Sequence, residues 1–208
     1  MNVVVFGATG ATGRELVKQA LAAGHRVTAY VRDAAQLPQR PGLRILAGST
    51  CDAKALGRAL AGQDAVLSAL GGRPWRRREY VCSSALRLIL PAMERHGVRR
   101  IVAISTVGAG TSRAHVGWPA RMLKLGLLLR SEVQDKEAME AQLEASSTDW
   151  TVVRVGRLTD EPARGTWRAA DDGSIRGSGS IARADVAAFM LGELDSTAWT
   201  KRLPVLMY

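Results

Sequence analysis

Three glycines interrupt the chain almost as soon as it begins. The run Val3-Val4-Val5-Phe6 ends at Gly7-Ala8-Thr9-Gly10-Ala11-Thr12-Gly13, and a helical pattern continues from Arg14. A strand that feeds a helix through such a turn leaves the first helical N–H groups pointing at open space. Those donors and the positive end of the helix dipole make a site for phosphate. Gly7 permits the tight turn, Gly10 lets a diphosphate approach the backbone, and Gly13 lets the helix pack against the strand. Thr9 and Thr12 add hydroxyl donors, and Ala11 supplies backbone to the same turn. Placed after a first strand and ahead of a second one, the pattern points to dinucleotide binding.

The choice of dinucleotide falls to the end of the second strand, Tyr30-Val31-Arg32-Asp33. An acidic residue there holds the ribose hydroxyls of NAD, whereas a guanidinium pairs with the 2′-phosphate of NADP. Arg32 favours NADP(H). The adjacent Asp33 keeps NAD(H) open, because a small loop shift would present its carboxylate instead. After the fourth strand comes Leu70-Gly71-Gly72-Arg73. Backbone at Leu70 and Gly71 can pass close to a cofactor lying beyond the strand ends, with Arg73 in reach of a phosphate or the substrate. Arg76, Arg77 and Arg78 read as a solvated helix entrance.

Groups suited to acid–base chemistry are few. The tyrosines are Tyr30, Tyr80 and Tyr208, and none is followed by lysine four residues on, so a tyrosine–lysine proton-transfer pair is missing. Ser105 and Thr106, closing the fifth strand, are candidates to orient a nicotinamide or an acceptor, with strand-end capping as the plain alternative. Lys136 opens a helix ahead of the sixth strand, where it either reaches the site or pairs on the helix surface with Glu140. The segment 108–121 carries glycines together with Val116, Trp118 and Pro119, which suits the wall of a site for a flat ligand. His25, His96 and His115 have no evident partners, and no metal-ligand spacing is present.

These residues need a scaffold that brings distant loops to one edge. Apolar, β-branched runs at 3–6, 26–31, 43–46, 65–68, 99–104, 150–155 and 202–206 alternate with helical patterns over 14–23, 53–60, 79–95, 132–143 and 185–194. Strands apolar on both faces and separated by helices imply a doubly wound, mostly parallel α/β sheet covered on both sides. Gly24 and Gly97 mark helix ends, Asp52 caps the helix from Ala53, and Pro91 should kink the 79–95 helix. No linker divides the chain, so 1–208 reads as one domain with substrate-side elements at about 106–130 and 156–182.

Bulk composition narrows the partners. The formal charge is +10, but no helix-turn-helix or RNA-binding signature accompanies it, which argues against nucleic acid. No apolar stretch is long enough to cross a membrane and no secretory signal is visible. Two widely separated cysteines, Cys51 and Cys82, suit a reduced, cytoplasmic protein. A small-molecule acceptor is the expected partner, and the state of assembly, monomer or homodimer, stays open.

The segments GATGATG, YVRD, AGQDAVLSALGG, HGVRRIVAISTVGA, DWTVVRVGRLTD and IARADVAAFML occur in order over nearly the whole chain. Together they resemble the atypical short-chain dehydrogenase/reductase family, in its NmrA-like, NAD(P)H-binding branch and the group containing flavin reductase/biliverdin-IXβ reductase. The resemblance implies a seven-stranded NAD(P)-binding Rossmann fold and use of NADPH. It places Gly7, Gly10, Thr12, Gly13, Arg32 and Arg73 on the cofactor, with Ser105 and Thr106 beside nicotinamide and substrate. Arg157 stands where the reductase has histidine, and Gly48-Ser49-Thr50 replaces an acidic adenine-side motif, so tetrapyrrole specificity is not carried over. The resulting expectation is an NADPH-dependent oxidoreductase reducing a flavin, quinone or similar conjugated acceptor. Its alternative is a non-catalytic NADP(H)-binding redox sensor.

Overall fold

Val3, Val4, Val5 and Phe6 of strand β1 (Asn2–Phe6) are completely buried, which requires protein against both faces of the strand. A computed structural model, describing residues 1–72, 80–115, 130–175 and 179–208, supplies those two layers. β1 leads into α1 (Ala11–Ala22), β2 (Arg26–Val31), β3 (Leu43–Ala47), α2 (Ala53–Leu60) and β4 (Ala65–Ser68). Then follow α3 (Val81–Arg95), β5 (Arg100–Thr106), α4 (Arg130–Glu144) and β6 (Asp149–Val155). Short strands β7 (Arg157–Thr159), β8 (Arg168–Ala170) and β9 (Ser180–Ala182) precede α5 (Arg183–Gly192) and β10 (Val205–Met207).

The main sheet runs β3-β2-β1-β4-β5-β6-β10-β8, parallel throughout except for β8. The chain crosses one way from β1 to β2 and the other way to β4, so a crevice opens beyond the strand ends at β1 and β4. One core packs α1 and α5 on the first face through Leu16, Val17, Val186 and Met190. The other packs α2, α3 and α4 on the second face through Leu56, Leu86, Ile89, Met139 and Leu143.

Two expectations change. The sheet has eight strands rather than seven, because Arg168–Ala170 joins antiparallel at the edge through Ala170 opposite Val205. Three residues with no apolar alternation give no strand signal, and their pairing comes entirely from β10. A second, two-stranded sheet of β7 and β9 forms likewise within 156–182, where the apolar pattern marks no strand. As the 79–95 pattern reads, α3 runs as one helix through Pro91 to Arg95. The punctuation is as expected elsewhere. Gly24 (φ +81°) and Gly97 (φ +68°) end α1 and α3, with His25 N–H donating to Ala20 O and Val98 N–H to Met93 O. Asp52 accepts from the N–H groups of Lys54 and Ala55.

Candidate functional site

The glycine turn is built as its composition demands. Gly7 sits at φ +78°, and a Cβ there would come within 2.5 Å of the Ala69 carbonyl oxygen. A Cβ on Gly13 would collide with the Gly7 carbonyl, so backbone excludes a side chain at both positions. Gly10 N–H donates to Gly7 O at 3.0 Å, and Gly10 itself is the N-cap residue of α1 in extended conformation. No side chain caps this helix, so its first amides keep their donors for an outside acceptor. Thr12 is buried, Thr9 half-buried and Ala11 exposed in the same turn.

At the far end of β2, Arg32 is exposed and makes no hydrogen bond or ion pair among the described residues. Asp33 is turned away into a local cap. One carboxylate oxygen accepts from Ala35 N–H at 3.0 Å and the other from Gln36 Nε2 at 3.3 Å, closing the 3-10 turn Ala34–Gln36. Across from them Tyr30 donates its hydroxyl to Ser49 O at 2.7 Å and fills the space where a Gly48 side chain would stand.

The other half of the site rests on a residue that the sequence undervalued. Lys136 does not pair with Glu140 on a helix surface. It is 4% exposed, and its ammonium donates to Leu70 O at 2.8 Å and to Ile104 O at 2.7 Å. It thereby ties the carboxyl ends of β4 and β5 together. Its neighbour Asp135, also buried, accepts from the N–H groups of Cys82 and Ser83, each at 2.8 Å, and from the Ser83 hydroxyl. One dipeptide of α4 therefore holds the exit of β4 and the entrance of α3. Glu132, one turn earlier, is pushed above the usual carboxyl range by burial, against the opposing pull of Lys136. Burial likewise raises the Cys82 thiol to about 11, although Lys136 acts in the other direction.

Ser105 lies one residue beyond Ile104. It is 1% exposed, and its hydroxyl has no hydrogen-bond partner among the described residues. A strand-end cap would have used that hydroxyl, so the capping alternative fails for Ser105. Thr106 is half-buried, its hydroxyl only 3.4 Å from Val107 O. Gly71 faces open space.

Past β5, the 3-10 turn Gly110–His115 is anchored from below. Arg154 of β6 and Glu140 of α4 form a buried bidentate pair at 3.1 and 2.8 Å, each side chain 4% exposed. A further Arg154 nitrogen donates to the Thr111 hydroxyl at 2.8 Å. This pair, invisible in the sequence, is where Glu140 is used. Arg157 is exposed at the start of β7. The segment near Arg164 is held by Asp185, which accepts from the N–H groups of Arg164 and Gly165 and from the Tyr208 hydroxyl. Burial pushes the Asp185 carboxyl up, and these donors outweigh it and hold the group below the usual carboxylate range. Arg73 and Trp118 lie outside the described residues, as does most of the proposed wall.

The structure thus brings the glycine turn, Leu70, Gly71 and Ser105 to one edge of the sheet, at the reversal of strand order. A profile described as NAD(P)H-binding matches residues 7–197. The chain belongs to the NAD(P)H-binding family. This agrees with the resemblance drawn from the quoted segments. A chloroplastic protein of Arabidopsis thaliana is 28% identical over 215 residues, covering 94% of this chain and 74% of the relative. Among solved structures, the anaerobillin reductase ChuY of Escherichia coli O157:H7 superposes with a TM-score of 0.85 at 24% identity, covering 100% of this chain and 97% of that one. A short-chain dehydrogenase/reductase of Veillonella parvula in complex with NADP gives a TM-score of 0.85 at 17% identity, covering 100% and 94%. At such identities these likenesses speak for the fold. Among the described residues, no helix of this NAD(P)H-binding protein is long and apolar enough to cross a membrane.

Proposed function

We propose that this chain is an NADPH-dependent oxidoreductase that delivers hydride to a planar, conjugated acceptor such as a flavin or quinone. The observation that carries the proposal is the Ser105 hydroxyl, buried and without a partner at the strand edge where the glycine turn and the Lys136-tied ends of β4 and β5 meet. An orphaned buried hydroxyl is costly unless a ligand completes it. The donor set also fits a dinucleotide: uncapped helix amides for a diphosphate, a guanidinium after β2, and open space over Gly71.

A nicotinamide cofactor, when bound, supplies the hydride chemistry. The first amides of α1 with Thr9 and Thr12 would hold its diphosphate, and Arg32 its 2′-phosphate. Backbone at Leu70 and Gly71 would pass beside it, and Arg73 would reach a phosphate. Ser105 would orient the nicotinamide side, and the acceptor side is assigned to Thr106, Trp118 and Arg157 in the substrate-side elements 106–130 and 156–182. Lys136 keeps the two carbonyl ends in register, so its work is positioning. With no lysine-paired tyrosine in the chain, acceptors that draw their proton from solvent are favoured over alcohols and ketones. Two unpaired cysteines suit a reducing compartment such as the cytoplasm.

Purified protein given NADPH and a panel of flavins and quinones should consume NADPH, followed as loss of nicotinamide absorbance. Saturable binding with no turnover on any acceptor would overturn catalysis in favour of the sensor. Arg32→Ala should weaken NADPH binding roughly 10- to 100-fold while leaving NADH nearly unchanged. Equal affinities for the two cofactors before substitution would overturn the role given to Arg32.

A further inference from the structure

Arg14 follows Gly13 in the opening turn of α1, yet its side chain serves neither the helix nor a carboxylate. Its Nε donates to Thr9 O in the glycine turn at 3.0 Å, and its Nη2 donates to Gln36 O at 3.2 Å. The guanidinium therefore spans two loops that meet only at the cofactor end of the sheet. The Nε and Nη2 donors of one planar guanidinium stand in fixed relative positions, so they set the separation of the two carbonyls they grip.

The loop it grips is the one that disposes of Asp33. That carboxylate caps the 3-10 turn Ala34–Gln36, with both oxygens engaged, by Ala35 N–H and by the Gln36 side-chain amide. An acidic group at this position is the group that would accept the ribose hydroxyls of NAD and repel a 2′-phosphate. While Gln36 is held, Asp33 is committed to its own turn and Arg32 is left beside it as the exposed charge. Ala34, Ala35 and Gln36 are exposed, with Leu37 behind them in the core, and among the described residues Arg14 reaches Gln36 from outside the turn.

We infer that Arg14 is a specificity-determining positioning residue: by clamping Gln36 to the glycine turn it keeps the Asp33 carboxylate out of the ribose site and so sets the preference for NADPH over NADH. The inference rests on the cofactor reading above and goes beyond the role of Arg32, since Arg14 acts through a turn rather than on the phosphate. It also accounts for an aspartate standing next to the arginine that is to bind a phosphate.

The test is the ratio of dissociation constants for NADH and NADPH, measured by calorimetry on the intact protein and on Arg14→Ala, Arg14→Lys, Asp33→Asn and the double variant Arg14→Ala/Asp33→Asn. Arg14 is exposed, so matching thermal melts should show every variant folded. Arg14→Ala should lower the ratio about fivefold, the worth of one ordinary, solvent-exposed hydrogen bond, chiefly through tighter NADH binding. Arg14→Lys should behave like Arg14→Ala, because the charge persists and the fork does not. Asp33→Asn retains a capping side chain, so alone it should leave NADH affinity unchanged, and in the double variant it should abolish the NADH gain. A ratio unchanged in Arg14→Ala, a wild-type ratio in Arg14→Lys, or an NADH gain that survives in the double variant would each overturn the inference. If the unsubstituted protein binds neither cofactor, the cofactor reading itself falls, a result distinct from any of these.

Discussion

The shortest-range constraint in the molecule is also the most demanding. Gly13 has room for a hydrogen and nothing more, because the Gly7 carbonyl occupies the place of its Cβ. Both sides of that contact are backbone, so no side-chain rotation can relieve it. Gly13→Ala should therefore shift α1 outward, cost about 1–3 kcal/mol in urea unfolding, and lower affinity for NADPH. Retention of both stability and affinity would contradict the geometry. Ser105 illustrates the opposite situation. Its position at a strand end was readable, but only burial of its hydroxyl without a partner distinguishes a ligand-facing serine from a capping one. Asp33 resists reading for a similar reason. Adjacent Arg and Asp present both charges, and the turn conformation decides which one faces outward.

At the level of elements, α4 organises the site more than its sequence pattern suggests. A buried lysine and a buried aspartate, adjacent in sequence, bind two carbonyls and two amides belonging to β4, β5 and α3. The carboxylate of Asp135 meets the amino end of α3, where the helix dipole favours it. Asp135→Ala would leave the N–H groups of Cys82 and Ser83 and a serine hydroxyl buried and unpaired. The expected cost is about 2–4 kcal/mol, with faster amide hydrogen exchange at Cys82 and Ser83. Unchanged exchange at those two amides would show that the cap is dispensable. None of this was legible from the chain alone, where Lys136 and Glu140 stand at the spacing of an ordinary helix-surface pair. In the fold each is taken by a different strand.

Across the whole molecule, the buried Arg154–Glu140 pair joins β6, α4 and the turn after β5. Two charges so deeply placed are tolerable only together, because removing one strands the other in low dielectric. Arg154→Met and Glu140→Leu should each destabilise by about 3–5 kcal/mol, whereas the double variant should recover most of that loss. A double-mutant cycle in denaturant reads the coupling, and simple additivity would overturn it. If the turn at Gly110–His115 borders the acceptor, the apolar double variant should remain folded yet turn over more slowly, since the Thr111 hydroxyl loses its anchor.

From the chain alone, the strand–glycine–helix opening, the alternation that makes a doubly wound sheet, the helix stops at Gly24 and Gly97 and the helix start at Asp52 were all determined. Each depends on backbone conformation or apolar spacing within a few residues, and such constraints survive whatever the rest of the protein does. The tertiary structure alone decided the eighth strand, the burial of Lys136 and Asp135, the Arg154–Glu140 pair and the engagement of Asp33 in its own turn. Most of these partners lie 14 to 66 residues apart in sequence. Whether a polar side chain is solvated or buried against such a partner sets its free energy, and that is a property of packing rather than of order along the chain. Asp33 is the local exception, held by hydrogen bonds within its own turn.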